Sequence, residues 1–251
     1  MGSAGLLLFL VLPLAAICWH ALPAQPWRRL GDPALAAAVR LSLLTSTIAT
    51  ALCVVSGLPF AYLLARFPFR GRAFVDTLVD LPMTLPPTVA GLALLLTFGR
   101  MGLLGSHLQQ AGIDIAFSTA AVVLAQTFMA APFFVRTARA GFEAVPREVE
   151  HAAMTLGRSR WGVFWSVSVP LAAPALLAGT VLAWARALSE FGATMLFAGN
   201  LPGVTQTLPL AVVSAMEGSD LSLAVSIAVV SLLLAFGALA GARLCVRRWA
   251  V

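Results

Sequence analysis

Residues 150–170, EHAAMTLGRSRWGVFWSVSVP, decide the fold of this chain, because they form a polar interruption between two strongly apolar runs. The chain has 251 residues, of which 60% are hydrophobic and only 10% are charged, and its mean hydropathy is +0.95. Soluble domains carry about 25% charged residues. The composition therefore argues against a soluble domain. It predicts that the lipid bilayer is the main solvent, with residues 150–170 lying outside the hydrocarbon.

Six apolar runs surround this stretch, and each approaches or exceeds the ~20 residues that a helix needs to cross ~30 Å of hydrocarbon. They are continuous rather than alternating, so helices satisfy their backbone groups in lipid. We therefore predict an all-α polytopic membrane protein with six transmembrane helices. The runs cover residues 4–22, 41–65, 80–98, 119–138, 171–199 and 221–243.

Two of these runs are unusual. Pro82, Pro86 and Pro87 make the third run irregular, which predicts a broken or kinked entry that faces protein or a water-filled cavity. The first run, residues 4–22, has signal-peptide length but no Lys or Arg before it. A retained helix is therefore favoured over a cleaved signal peptide.

The arginines set the predicted orientation. Eleven of them lie in the 66–77 loop, the 136–169 loop and the C-terminal end, four lie on the opposite side, and Arg186 lies inside the fifth run. Cytoplasmic loops carry the excess of basic residues. We therefore expect both termini and residues 150–170 to be cytoplasmic.

Several function classes find no support in the residues. All sixteen basic residues are arginine, so the chain has no lysine for a phosphate loop of the GxxxxGK[ST] type. The three cysteines form no CxxC pair, and no catalytic, cofactor-binding or metal-binding constellation stands out. The arginines are spread around apolar segments rather than gathered on one basic face, which argues against nucleic acid as a partner.

A short amphipathic helix is predicted between Pro146 and Leu156. Pro146 suits a first turn, Glu148 and Glu150 fall in the N-terminal half, and Gly157 stands where a C-terminal cap is expected. Its surface is poor in large side chains, so the groove of a partner protein could close on it. A helix that rests on lipid headgroups is the alternative.

The loop that contains this helix, residues 144–166, resembles the EAA motif by which ABC importer permeases dock on their ATP-hydrolysing subunits. Ala152, Ala153, Gly157, Val167 and Pro170 fall at the family spacing, with Val169 in the place of a leucine. His151 occupies the place of the motif glutamate, and Glu150 stands one position earlier, so either could make the polar contact. The candidate docking residues are Glu150, His151, Ala152, Ala153, Gly157 and Arg158.

Two further stretches resemble molybdate ABC importer permeases. They are residues 80–102, which begin DLPMTLPPTVAG, and residues 189–209, which begin SEFGATMLFAGNLPG. With the docking loop, the resemblance covers residues 38–245. It implies a type I ABC importer permease fold in a bacterial or archaeal plasma membrane. No cofactor is expected. The implied partners are a second copy of the chain, two ATP-hydrolysing subunits and a periplasmic oxyanion-binding protein.

Molybdate is the expected substrate, with tungstate or sulfate as alternatives, and alternating access is the expected mechanism. Arg186 and Glu190 stand one helical turn apart in the fifth run, and ionisable residues inside a membrane are functional candidates by default. Mutual neutralisation is the structural alternative. An ATP-independent carrier or channel is the competing class, with Glu190 as its one candidate carboxylate. The pathway or gate candidates are Thr84, Pro86, Pro87, Arg186, Ser189, Glu190 and Thr194.

Pairs of small residues four positions apart indicate where helices approach closely in lipid. These pairs are Gly57 with Ala61, Gly179 with Ala183, and Gly237 with Gly241.

Overall fold

The computed structural model describes residues 2–24, 29 and 31–249, and they form helices and connecting loops without a β-strand. A π-helical turn, Phe164–Ser168, joins α8 to α9. The helices are α1 (Gly2–Ala24), α2 (Pro33–Arg66), α3 (Arg72–Thr84), α4 (Pro87–Phe98), α5 (Gly105–Gln110), α6 (Thr119–Ala144), α7 (Arg147–Thr155), α8 (Arg160–Val163), α9 (Val169–Leu188), α10 (Gly192–Phe197), α11 (Leu208–Glu217) and α12 (Leu221–Trp249).

Five of the described helical stretches are long and apolar enough to cross a membrane, and the number rises to six if α3 and α4 count as one broken span. The five are Gly5–Leu22, Pro33–Arg66, Thr119–Ala144, Arg160–Leu188 and Leu221–Ala238. The all-α membrane architecture expected from the sequence is therefore confirmed. The third and fifth predicted spans are each interrupted and do not form one straight helix.

The third predicted span, residues 80–98, is not one helix. It consists of the end of α3 and the whole of α4, which meet at an angle of 114°. The chain breaks at Leu85 and Pro86, because Pro86 and Pro87 lack the N–H groups that would continue the helix. The expected break is confirmed. Counted together as one broken span, α3 and α4 are long and apolar enough to cross a membrane, whereas the twelve residues of α4 alone extend only ~18 Å.

The fifth predicted span, residues 171–199, also ends earlier than expected. Helix α9 stops at Leu188, and the chain turns before α10 begins at Gly192. Glu190 lies in this turn, where its carboxylate accepts a 2.8 Å hydrogen bond from the Ala193 backbone N–H. A side chain that accepts a bond from the first turn of a following helix favours a break in the preceding one.

Helix α6 is the centre of the bundle and packs extensively against α2 on one side and α9 on the other. Phe134 of α6 is fully buried between two glycines. A Cβ atom at Gly57 would lie 2.8 Å from its Cδ1, and one at Gly179 would lie 3.4 Å from its Cδ2. These two close helix approaches confirm what the small-residue spacing predicts, and van der Waals packing of this kind holds helices together in lipid.

The π-helical turn lies directly before Val169 and Pro170. Proline has no N–H and its ring clashes with the carbonyl four residues earlier, which disfavours the regular α-helical pattern at this point. The Val169 N–H instead reaches back five residues to the Phe164 carbonyl. Turns of this kind inside helices are frequent at functional sites.

Candidate functional site

Helix α7 has the boundaries and caps that its sequence predicts. Pro146 precedes it in an extended conformation, and Gly157 follows it with a φ of +88°. The Gly157 N–H donates to the Met154 carbonyl, and the Arg158 N–H donates to the Ala153 carbonyl. This pair of bonds is a Schellman motif, in which glycine tolerates the left-handed conformation that other residues adopt at a cost.

Glu150 is buried inside the protein. Its Oε1 accepts bonds from Arg66 Nε at 3.1 Å, Arg66 Nη2 at 2.9 Å and Ser168 Oγ at 2.7 Å. The two ion-paired side chains are only 7% and 8% exposed. Arg66 Nη2 also donates to the Val145 carbonyl at 2.9 Å. One carboxylate thus connects α7 to the end of α2 and to the π-helical turn.

This geometry distinguishes Glu150 from His151, the two residues that could replace the motif glutamate. Glu150 is satisfied within the chain, whereas the His151 side chain is exposed. Removing one partner of a buried ion pair typically costs about 3–5 kcal/mol, since the other charge is left uncompensated. Glu150 is therefore a positioning residue for α7, and His151 is the one available to a partner.

The rest of α7 offers a shallow outer surface. Val149, Ala152 and Leu156 are exposed and lie on one helical stripe, with Leu156 87% exposed. Arg158 is exposed, and Ala153 is half-buried. Because these exposed apolar side chains are contiguous, they are typical of a surface that another molecule covers.

Arg66 and Ser168 are residues of the candidate site that sequence analysis missed. Arg66 is 84 positions from Glu150 in sequence, and Ser168 is 18 positions away. Neither residue can be recognised from the sequence of a single chain. An arginine at the end of a span is typical of the membrane interface, and a serine within a helix indicates no particular contact. The one indication in the sequence is Glu150, an acidic residue that stands one position before the place of the motif glutamate.

A second charged cluster joins α3 to α6. Arg136 forms an ion pair with Asp80, and Arg139 donates to Asp76 at 2.6 Å and to Glu143 at 2.8 Å. The three positive charges of Arg72, Arg136 and Arg139 face three carboxylates, so the cluster is neutral overall. It fixes α3 against the central helix.

The two other signature stretches of the sequence meet each other. A Cβ atom at Gly91 of α4 would lie 2.8 Å from the Ala193 carbonyl oxygen, and one at Gly192 would lie 2.8 Å from Pro87 Cβ. The helices α4 and α10 therefore approach at backbone distance. The gate candidates Pro87 and Glu190 belong to the two sides of this contact.

Glu190 is 1% exposed and pairs with Arg186, whose Nη2 lies 2.6 Å from Glu190 Oε2. Glu190 Oε1 accepts the bond from the Ala193 N–H, whereas Oε2 has the ion-pair contact with Arg186 but no hydrogen bond among the described residues. Arg186 is partly exposed. The arrangement favours mutual neutralisation over a direct ligand role for either residue.

The remaining gate candidates are not drawn together into one polar site. Thr84 Oγ1 donates to the Leu81 carbonyl at 3.0 Å and Ser189 Oγ to the Arg186 carbonyl at 3.2 Å, so both satisfy their own helices. Pro86 and Pro87 are exposed. Thr194 is fully buried, and its hydroxyl has no hydrogen-bond partner among the described residues.

Comparison with solved structures identifies the class of fold. The chain matches a bacterial ABC transporter involved in the import of the acidic polysaccharide alginate with a TM-score of 0.77 and 15% identity, over 99% of this chain and 93% of that one. It matches an inward-facing MetNI methionine ABC transporter with a TM-score of 0.67 and 18% identity, over 86% of this chain and 95% of the other. At these identities the likeness shows the fold alone, which is that of an ABC importer permease.

Relatives in sequence indicate which kind of ABC importer permease the chain resembles. The molybdenum transport system permease protein ModB of Mycobacterium tuberculosis is 45% identical over 204 residues, which cover 81% of this chain and 77% of the relative. ModB of Escherichia coli is 44% identical over 72% of this chain and 79% of its own length. The sulfate transport system permease protein CysT of Escherichia coli is 38% identical over 90% and 82%.

The family model described as the binding-protein-dependent transport system inner membrane component matches residues 57–251. The chain belongs to this family, and within it to the molybdate ABC importer permeases.

Proposed function

We propose that this chain is the permease subunit of an ATP-driven oxyanion importer, with molybdate as its substrate. The observation that carries the proposal is the 45% identity to a molybdenum permease over 81% of the chain. The several helices long and apolar enough to cross a membrane support a transport pathway through the bilayer.

The exposed surface of α7 is the proposed docking site for the ATP-hydrolysing subunit. Leu156 and Ala152 supply shallow apolar contacts, and His151 and Arg158 supply polar ones. Glu150 acts indirectly by fixing α7 through Arg66 and Ser168. Displacement of α7 would then be passed to α2 and α9, which is the coupling that alternating access requires.

The excess of arginine around α7 and the 66–77 loop supports a cytoplasmic position for this end of the bundle. A periplasmic oxyanion-binding protein would meet the opposite end.

Gly237 and Gly241 of α12 have no described heavy atom within 4 Å of the positions where Cβ atoms would lie. Among the described residues nothing packs closely against these two glycines, which supports a second copy of the chain as a partner.

The test is uptake of labelled molybdate by vesicles that contain the permease, the ATPase subunit and the binding protein. ATP-dependent accumulation, with weaker competition by sulfate than by unlabelled molybdate, is the expected result. Vesicles that lack the ATPase subunit are the control. Uptake that persists in them would favour an ATP-independent carrier instead.

Sulfate is the second candidate substrate, because the chain is 38% identical to a sulfate permease over 90% of its length. Tungstate shares the charge and tetrahedral shape of both anions, so it belongs in the same competition series. Stronger competition by sulfate than by molybdate would reassign the substrate and leave the permease function unchanged.

A further inference from the structure

A cleft of about 180 Å³ lies between α7 and the end of α2, and it shares His151 with the outer face of α7 that we propose for docking. It is far larger than the roughly 10–15 Å³ that one water molecule needs, so it admits a polyatomic ligand. Its polar and aromatic lining includes Tyr62, Arg66, Arg147, Glu150, His151 and Arg160.

The charge balance of this cleft is positive. Arg66 is neutralised by Glu150. In the portion of the chain covered by the structure, Arg147 and Arg160 form neither an ion pair nor a side-chain hydrogen bond. Two uncompensated guanidinium groups therefore border one cleft, and a guanidinium binds the oxygens of phosphate-like anions through paired N–H donors.

The position of the cleft along the bundle is set by α8 and α9. Residues 160–188 form a continuous helical stretch of 29 residues, which at 1.5 Å per residue is ~43 Å long. The hydrocarbon core is ~30 Å thick, so one or both ends of this stretch extend into the interface. Trp161 and Trp165 are exposed at the arginine-rich end, where aromatic side chains mark the headgroup level.

We infer that this cleft binds a tetrahedral oxyanion of the phosphate class between Arg147 and Arg160. Such an anion bridges α7 to α8 and stabilises the position of α7 against α2. A phospholipid headgroup and a free cytoplasmic anion share this chemistry, and basic pockets between helices at the membrane surface are known to accept headgroups. The inference does not depend on which anion the protein transports.

The test uses the permease–ATPase complex in nanodiscs of phosphatidylcholine with or without phosphatidylglycerol, with bound lipid counted by native mass spectrometry. The variant is the double substitution Arg147→Gln/Arg160→Gln. The matched control is Arg70→Gln, because Arg70 is exposed, unpaired among the described residues and near the same end of the bundle. At about 1 kcal/mol for each arginine, the double variant should lose about thirtyfold in preference for phosphatidylglycerol, and the control should retain it.

A second arm separates the sources of the anion. In pure phosphatidylcholine nanodiscs, inorganic phosphate is added and the thermal stability of the complex is measured. Stabilisation of the natural protein but not of the double variant identifies a free oxyanion as a ligand. Loss of phosphatidylglycerol binding alone identifies the headgroup.

Two outcomes would overturn the inference. One is that neither phosphatidylglycerol nor phosphate distinguishes the double variant from Arg70→Gln. The other is that the double variant loses the ATPase subunit during purification while its anion binding is unchanged, which would make the cleft a protein-docking site. Molybdate uptake by the unsubstituted complex is measured alongside, so that failure of the proposed transport function is recognised separately.

Discussion

Ser168 Oγ donates a 2.7 Å hydrogen bond to Glu150 Oε1, and so the π-helical turn at the root of α9 is bonded directly to helix α7. The same oxygen accepts two bonds from Arg66. Three segments that are distant in sequence therefore share one buried carboxylate oxygen.

Glu150→Gln should destabilise the protein, because it leaves the buried Arg66 guanidinium without its counter-charge. We expect a loss of about 3–5 kcal/mol, measured by thermal unfolding of the purified complex. Glu148→Gln is the control, since Glu148 is exposed on the same helix. The pair Arg66→Met/Glu150→Met should regain much of the lost stability, because replacing both charges removes the unpaired one. Equal stability of Glu150→Gln and Glu148→Gln would contradict the positioning role.

Gly157→Val should weaken binding of the ATPase subunit, since Gly157 ends α7, the proposed docking helix, at a φ of +88°. Gly71→Val is a matched control, because Gly71 has the same φ and likewise has no heavy atom within 4 Å of its Cβ position among the described residues. Both substitutions impose a left-handed strain of about 1–2 kcal/mol. Co-purification should fall for Gly157→Val alone, and normal co-purification and uptake in that variant would refute the docking assignment.

Leu156→Ser should reduce docking without affecting the fold. Leu156 is 87% exposed, and Leu103, in another loop, is 79% exposed, so neither contributes much to the core. Burying a leucine side chain is worth about 1.5–3 kcal/mol, which corresponds to roughly tenfold or more in association. Titration of the ATPase subunit should show this loss for Leu156→Ser and no change for Leu103→Ser. The same affinity for both variants would remove Leu156 from the interface.

Gly91→Ala should impair uptake while leaving the ATPase subunit bound. A Cβ atom there would lie 2.8 Å from the Ala193 carbonyl oxygen, so α4 and α10 would have to separate. Gly5→Ala is the control, because Gly5 lies in a helix with open space around it and alanine there improves helix propensity by about 1 kcal/mol. Unchanged uptake and thermal stability in Gly91→Ala would show that this contact tolerates a methyl group.

Glu190→Gln should lower the thermal stability, because the amide cannot neutralise Arg186 at the 2.6 Å contact. The double variant Arg186→Gln/Glu190→Gln should regain both stability and molybdate uptake if the pair is structural. Glu217→Gln, at an exposed position, is the control. A double variant that is stable but inactive in uptake would instead place the pair in the transport pathway.

Composition and loop arginines were sufficient to predict an all-α membrane bundle, and the helix signals around Pro146 and Gly157 predicted α7 with its cap. Those features depend on local chemistry, since proline and glycine restrict the backbone wherever they occur. The length of the third span was not predictable, because hydropathy averages over the break at Pro86. The apolar residues continue through it although the helix axis turns by 114°.

The contacts of the candidate site were less predictable than its position. The sequence makes Glu150 a docking candidate because it stands one position before the place of the motif glutamate, but a buried carboxylate is stable when its partners come from elsewhere in the chain. Arg66 and Ser168 supply those partners from α2 and the π-helical turn. A single sequence contains no information about such pairing, which depends on how the helices assemble.

The length of α2 has a mechanical consequence. Its 34 residues extend ~51 Å, well beyond the ~30 Å of the hydrocarbon, and Arg66 stands at its last position. Near the other end of the same helix, the Leu208 N–H of α11 donates a 2.7 Å bond to Ser42 Oγ. A tilt of about 5° in a rod of this length moves one end by about 4 Å relative to the other. In the proposed transporter, α2 would therefore act as a lever arm that carries a small displacement of α7, received at Arg66, towards Ser42.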